Sequence, residues 1–125
     1  MPVNNADIRP AARFINVWAP VLFFMAVIFY ASSLPASRIP RLFLFQDISY
    51  HAAIYAVLGF FFSRALKNTF KSLPRKKRVV FAVIFGIIYG ISDELHQYFV
   101  PGRSVSATDL SVDAIAAFIG GLLYR

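Results

Sequence analysis

"VVFAVIFGIIYGISDELHQYFV", residues 79–100, decides how the rest of the chain is read. A membrane-crossing helix needs roughly 20 mostly apolar residues to cover about 30 Å of hydrocarbon. This stretch is long enough, yet its second half sets Asp93, Glu94, His96 and Gln97 among Ile91, Leu95, Tyr98 and Phe99. Ionisable groups at such a depth are costly and mark function by default. Wound as a helix, the segment puts Gly86, Gly90, Asp93, Glu94 and Gln97 on one face, with Tyr89 and His96 at its flank. Ile84, Ile87, Ile88, Ile91, Leu95, Tyr98 and Phe99 fall on the other. Gly86 and Gly90 form a G-x-x-x-G pair, which lets a second helix approach closely. The spacing therefore predicts one face buried in a bundle and one face against lipid.

Composition agrees. Of 125 residues, 58% are hydrophobic and 15% charged, against about 45–50% and about 25% in soluble domains. The length allows a single domain, residues 1–125. There is no cysteine, which excludes a disulfide framework and thiolate metal sites. The formal charge of +7 is concentrated in "RALKNTFKSLPRKKR", residues 64–78. A basic run between apolar segments reads as a cytoplasmic loop, not as a nucleic-acid surface.

Four spans are expected, at about 14–34, 48–66, 79–100 and 107–124. The fold class is an all-α integral membrane bundle of four transmembrane helices. The first apolar stretch exceeds the roughly 7–15 residue core of a signal peptide, so a retained helix is expected. Arg9, Arg13, the residues from Arg64 to Arg78, and Arg125 supply ten of the thirteen basic side chains. Arg38, Arg41 and Arg103 fall on the opposite side. Lys and Arg mark the cytoplasmic loops, so both termini are expected in the cytoplasm. Asp47, Asp93, Glu94, Asp109 and Asp113 gather at the outer end, and Asp7 falls inside.

The remaining spans add to that polar layer. Ser106 is placed to cap the fourth helix, with Asp109 at its third helical position. Asp113 lies one turn deeper on the same face, which continues through Ala116 to Gly120. Ala117 and Gly121 form a second small pair, so packing against the third span is expected. In the second span His51, Tyr55 and Gly59 share a face. Ser32 and Ser33 can satisfy backbone carbonyls at the outer end of the first.

"SDELHQYFVPGRSVSATDLSVDAIAAFIGGLL", residues 92–123, resembles the signature of VanZ-like membrane proteins in Asp93, Glu94, Gln97, Arg103 and Asp109. Asp47, His51 and Tyr55 match an earlier part of that pattern. Three positions depart from it: Ile48 replaces a common Lys, Asp113 an Asn, and Ala116 a Gly. The resemblance implies a multi-span protein of the bacterial cytoplasmic membrane. The family's namesake is associated with resistance to the lipid-tailed glycopeptide teicoplanin, so a role in the cell envelope is implied.

Three mechanisms fit these residues. The first is binding or modulation of an amphiphile, such as a lipid-linked cell-wall precursor or a lipoglycopeptide. Its head would lie near Arg103, His51 and His96, with Tyr55, Gln97, Asp109 and Asp113 lining the site. The second is an enzyme acting on a lipid head group, with His51, Asp93 and Glu94 as candidate catalytic groups. A variant of it has Asp93, Asp109 and Asp113 hold a divalent ion through oxygen. No compact metal motif is present, and no cofactor is assigned. The third is a proton-coupled transporter, which at four spans calls for a homo-oligomer.

Overall fold

The computed structural model describes residues 5–125, with side chains from residue 9 onward. The side chain of Asp7, expected on the inner side, lies outside the described part. Among the described residues there are four α-helices and no strand: α1 (Asn5–Ser32), α2 (Gln46–Thr69), α3 (Arg75–Tyr98) and α4 (Ala107–Leu123). A short 3-10 turn, Ala36–Arg38, follows α1. Two helical stretches, Arg9–Ser32 and Arg75–Tyr98, are long and apolar enough to cross a membrane. α2 and α4 are more polar or shorter. α2 carries Gln46, Asp47 and His51 at one end and Arg64 and Lys67 at the other, while α4 has only 17 residues.

Contacts along the helices give an up-down-up-down order. Trp18 Nε1 donates to Thr69 Oγ1 at 2.9 Å, so the first half of α1 lies beside the end of α2. Tyr89 O–H donates to Met25 O at 2.6 Å, so α1 and α3 run in the same sense. α4 begins beside the start of α2 and finishes beside its end, where Lys67 Nζ donates to Arg125 O at 2.8 Å. Arg75 Nη2 donates to Leu122 O at 2.5 Å. Lys67 and Arg75 thus serve the carbonyls at the C-terminal end of α4, where cations also suit the helix dipole.

α4 packs closely against both α2 and α3 because its inner face is made of small residues. Asp113, Ala116, Ala117, Gly120 and Gly121 are its buried positions. The sequence pattern points α4 at the third span, but α2 is its principal neighbour. A Cβ at Gly120 would collide with the Ala56 carbonyl, and one at Gly59 with the Ala117 backbone. α3 takes the adjacent strip. A Cβ at Gly86 would stand 2.6 Å from Ala117 Cβ, and one at Gly121 would stand 3.2 Å from Ala82 Cβ. Small residues on α2, α3 and α4 therefore let three backbones converge, and Ala117 meets both neighbours.

The face assignment for α3 agrees with the structure. Gly86, Gly90, Asp93, Glu94 and Gln97 are buried, while Ile88, Leu95 and Phe99 are 63%, 61% and 80% exposed. Large apolar side chains also cover the outside of α1 and the loop before α2, where Leu42, Phe43, Leu44 and Phe45 stand outward. Gln46 shapes that loop: its Oε1 accepts from Leu42 N at 2.7 Å, and its Nε2 donates to Pro40 O at 2.9 Å. An apolar surface of this extent suits hydrocarbon, not water.

Gly120→Val forces a side chain into the α2 backbone, and overpacking of this kind costs roughly 1–3 kcal/mol or more. We expect detergent-solubilised Gly120→Val to unfold well below the parent chain in a thermal scan. Ile88→Val, on the outer face, should change stability by less than about 0.5 kcal/mol.

Candidate functional site

The polar groups converge where the first turns of α2 and α4 meet the last turns of α3. α2 offers His51 on the same face as Tyr55, because residues four apart stack on a helix. His51 Nδ1 lies 2.8 Å from Asp113 Oδ1, and Asp113 is wholly buried. An ionised carboxylate can only accept, so Nδ1 is the donor of this contact, and in the neutral ring the lone pair is then at Nε2. Nε2 stands 3.9 Å from Asp109 Oδ2. The Tyr55 ring lies nearly parallel to the imidazole, centroids 6.1 Å apart, and closes the site from below.

Asp113 has room because α3 carries a glycine opposite it. A Cβ on Gly90 would stand 2.9 Å from Asp113 Oδ2. That oxygen is buried without a hydrogen-bond partner among the described residues. Asp113, one turn deeper than the start of α4, is thus the partner of His51.

Ser106 caps α4 as its spacing predicts: its Oγ accepts from Asp109 N at 3.2 Å. The return half of the capping box is replaced. Ser106 N–H donates to Glu94 Oε2 of α3 at 2.7 Å. The Asp109 carboxylate is thereby left to face His51 instead of its own helix start. Gln97 Nε2 donates to Asp93 Oδ2 at 3.3 Å, joining two residues of the α3 stripe.

Two cavities meet at this layer. One, of about 480 Å³, runs between α1 and α2 past Val27, Ile28, Leu34, Ile54, Tyr55 and Val57 to Asp93. The other, of about 130 Å³, holds Arg41, Gln46, Ser104 and Asp109. His51, Gln97, Arg103, Asp47 and Ile39 line both. An apolar channel thus ends at a small polar chamber containing two arginines. Ile39 and Arg41 come from the α1–α2 loop and were not indicated by any motif. That loop is fixed against the α3–α4 loop, where Ala36 N donates to Pro101 O at 3.2 Å. Gly102, at φ +75°, makes the turn there, and a Cβ on it would stand 2.9 Å from Ala36 Cβ.

His96 is not part of this assembly. Its Nε2 lies 2.9 Å from Ser33 Oγ, and its ring stacks on Phe29 at 4.5 Å. It joins α3 to the outer end of α1, on the flank of the polar face. Among the candidate residues, His51, Asp109 and Asp113 are in direct contact. Tyr55, Asp93, Gln97 and Arg103 line the adjoining cavities, and Glu94 reaches the site from behind through the start of α4.

A family model described as VanZ/LLP1 matches residues 17–125. The chain belongs to the VanZ/LLP1 family. The match spans every residue of the site and all of α2, α3 and α4. Neither the curated proteins nor the solved structures give a match. Membership leaves the chemistry of the site to its own geometry.

The His51–Asp113 contact is open to a double-mutant cycle. Leaving a buried hydrogen-bonding group without its partner costs roughly 1–3 kcal/mol, and more when the group is charged. We expect His51→Ala and Asp113→Ala to be coupled by at least about 1 kcal/mol in thermal or denaturant unfolding. His96→Ala combined with Asp113→Ala should be additive to within about 0.5 kcal/mol, because the two share no partner.

Proposed function

We propose that this chain is a single-domain integral membrane protein of the bacterial cytoplasmic membrane. In this reading it crosses the bilayer four times with both termini in the cytoplasm, and it binds an anionic amphiphile at the outer leaflet. The observation that carries the reading is the junction of the two cavities. The apolar channel accepts an acyl or prenyl tail. The polar chamber offers Arg41 and Arg103 to a phosphate or carboxylate, for which a guanidinium is suited by its planar donors. Ligand sites commonly join apolar walls to a few placed polar groups, and this pair of cavities has that form.

The membrane placement rests on family membership, the two long apolar helices and the greasy outer faces. The orientation rests on charge. The basic residues from Arg64 to Arg78, and Arg125, lie at the end of the bundle opposite the site, and cytoplasmic ends are the basic ones. That end is a membrane-flanking collar in this reading, not a nucleic-acid surface. Lipid-linked wall precursors and lipoglycopeptides such as teicoplanin share the chemistry required: a long apolar tail joined to an anionic head. A role in envelope modulation of the glycopeptide-resistance type is therefore the biological setting we favour.

A second reading has one specific observation behind it. The His51–Asp113 arrangement leaves Nε2 as a base beside Asp109, at the head-group end of the channel. Such a pair is suited to taking a proton from water or from a head-group hydroxyl. Asp93 and Glu94, the other catalytic candidates, then act by charge. A transporter has less support, because the buried acids lie at one end of the bundle only.

The absence of cysteine makes orientation directly testable. We expect Ser104→Cys to react with an impermeant maleimide on intact spheroplasts, and Ser72→Cys to react only after lysis. The reverse pattern would overturn the orientation. For the ligand, native mass spectrometry with a polyprenyl phosphate should show one bound lipid per chain. Arg103→Ala should weaken that binding about 10-fold or more, and loss of no affinity would contradict the reading. A mass change in the lipid, abolished by Asp113→Asn, would favour the enzyme.

A further inference from the structure

Charge in the niche is unbalanced. Asp93, Glu94, Asp109 and Asp113 converge there, and Glu94 and Asp113 each keep one buried oxygen with no hydrogen-bond partner among the described residues. Glu94 is 4% exposed; its Oε2 accepts from Ser106 N, and its Oε1 is the oxygen without a partner. A buried carboxylate is tolerated when it is paired, protonated or bound to a cation. Glu94 is also within reach of two other donors. One oxygen of Glu94, one of Asp109 and a ring nitrogen of His51 lie within 4.8 Å of one another.

We propose that His51, Glu94 and Asp109 form a binding site for a divalent transition-metal ion, with Zn²⁺ as the best fit. Asp113 orients the site without ligating the metal. It holds the His51 Nδ1 proton at 2.8 Å, which fixes the tautomer and turns Nε2 toward the two carboxylates. Metal-bound imidazoles recurrently have such a carboxylate behind them. Zn²⁺ bonds nitrogen and oxygen at about 2.0–2.2 Å, so two of its donors stand about 3–4 Å apart. The 3.9 Å between His51 Nε2 and Asp109 Oδ2 falls within that range. One imidazole with two carboxylates and no thiolate suits Zn²⁺ or Mn²⁺ better than Ca²⁺ or Mg²⁺.

The expected ligand set changes accordingly. On sequence, Asp93, Asp109 and Asp113 were the oxygen donors. Asp93 is engaged by Gln97 and Asp113 by His51, and the donors come from three helices instead of two. Three protein ligands leave a coordination position free. His51 and Asp109 both line the smaller chamber, so that position faces Arg41, Arg103 and Ser104. Water fills it at rest, and a phosphate or carboxylate oxygen is the class of ligand that can replace water there. The inference goes beyond amphiphile binding, and the metal site stands with or without a lipid.

The test uses the full chain, free of any His tag, purified in detergent and stripped with a chelator. After incubation with Zn²⁺ and desalting, elemental analysis should give one zinc per chain. Co²⁺ should bind with a visible spectrum of nitrogen and oxygen ligation, and excess Zn²⁺ should remove it. Asp109→Asn and Glu94→Gln should each lose at least 10-fold in Zn²⁺ affinity while keeping helical circular dichroism. Asp113→Asn should weaken affinity by about 10–100-fold, and Ile88→Val, on the outer face, should not. The spectrum of the parent chain stands even if a variant fails to fold. No uptake of either ion by the parent chain, or undiminished uptake by both Asp109→Asn and Glu94→Gln, would overturn the proposal.

Discussion

The arrangement depends on one buried contact, between the imidazole of His51 on α2 and the carboxylate of Asp113 on α4. Asp113 has no exposure to solvent, and a carboxylate in such a place needs a charged or hydrogen-bonding partner. His51 is that partner, and satisfying it fixes several other things. Together with Lys67 on the Arg125 carbonyl at the far end, the contact holds α2 and α4 side by side in the same sense, with their first turns level. The His51 ring can turn only one nitrogen toward the outer chamber. Asp109, one turn earlier on α4, is then brought to face that nitrogen. A structural requirement of the bundle and the chemistry of the site are thus met by the same two atoms.

Small residues make the contact possible. α4 penetrates between α2 and α3 because Gly59, Gly86, Gly120 and Gly121 remove side chains where backbones meet. With no hydrophobic drive between helices in lipid, close packing and interhelical hydrogen bonds carry association. Gly90 has a more particular task. It clears a space on α3 into which the second oxygen of Asp113 projects. The same glycine stripe that closes the bundle therefore admits the buried acid, and a side chain at that point would displace the group on which His51 depends.

Much of this was legible in the sequence, and the limits have physical causes. The α3 stripe was plain because polar and apolar residues differ sharply across one helix, and a 3.6-residue period sorts them without reference to a partner. The helix start at Ser106 was equally local. Choice of partner was not local. Ala117 and Gly120 fit any small-residue surface, and both α2 and α3 provide one, so spacing alone could not make α2 the main neighbour of α4. His96 sits at the edge of the stripe, where a few degrees decide between the niche and α1; Ser33 and Phe29 settle it. Glu94 reaching Ser106 N, and Ile39 and Arg41 entering the cavities, depend on loop geometry that no motif encodes.

Family membership places the chain among VanZ/LLP1 proteins, and the site gives that placement a chemical content. An apolar channel, two arginines and a His–Asp pair converge at one end of a helical bundle. The most direct test of the central claim is the state of the His51 ring in the folded protein, read by nitrogen-15 NMR of histidine-labelled chain in detergent micelles. The account predicts that Nδ1 holds its proton in slow exchange with solvent at neutral pH, and that Asp113→Asn shifts the His51 signals far more than those of His96. A His51 ring that exchanges tautomers freely, and is indifferent to Asp113→Asn, would contradict it.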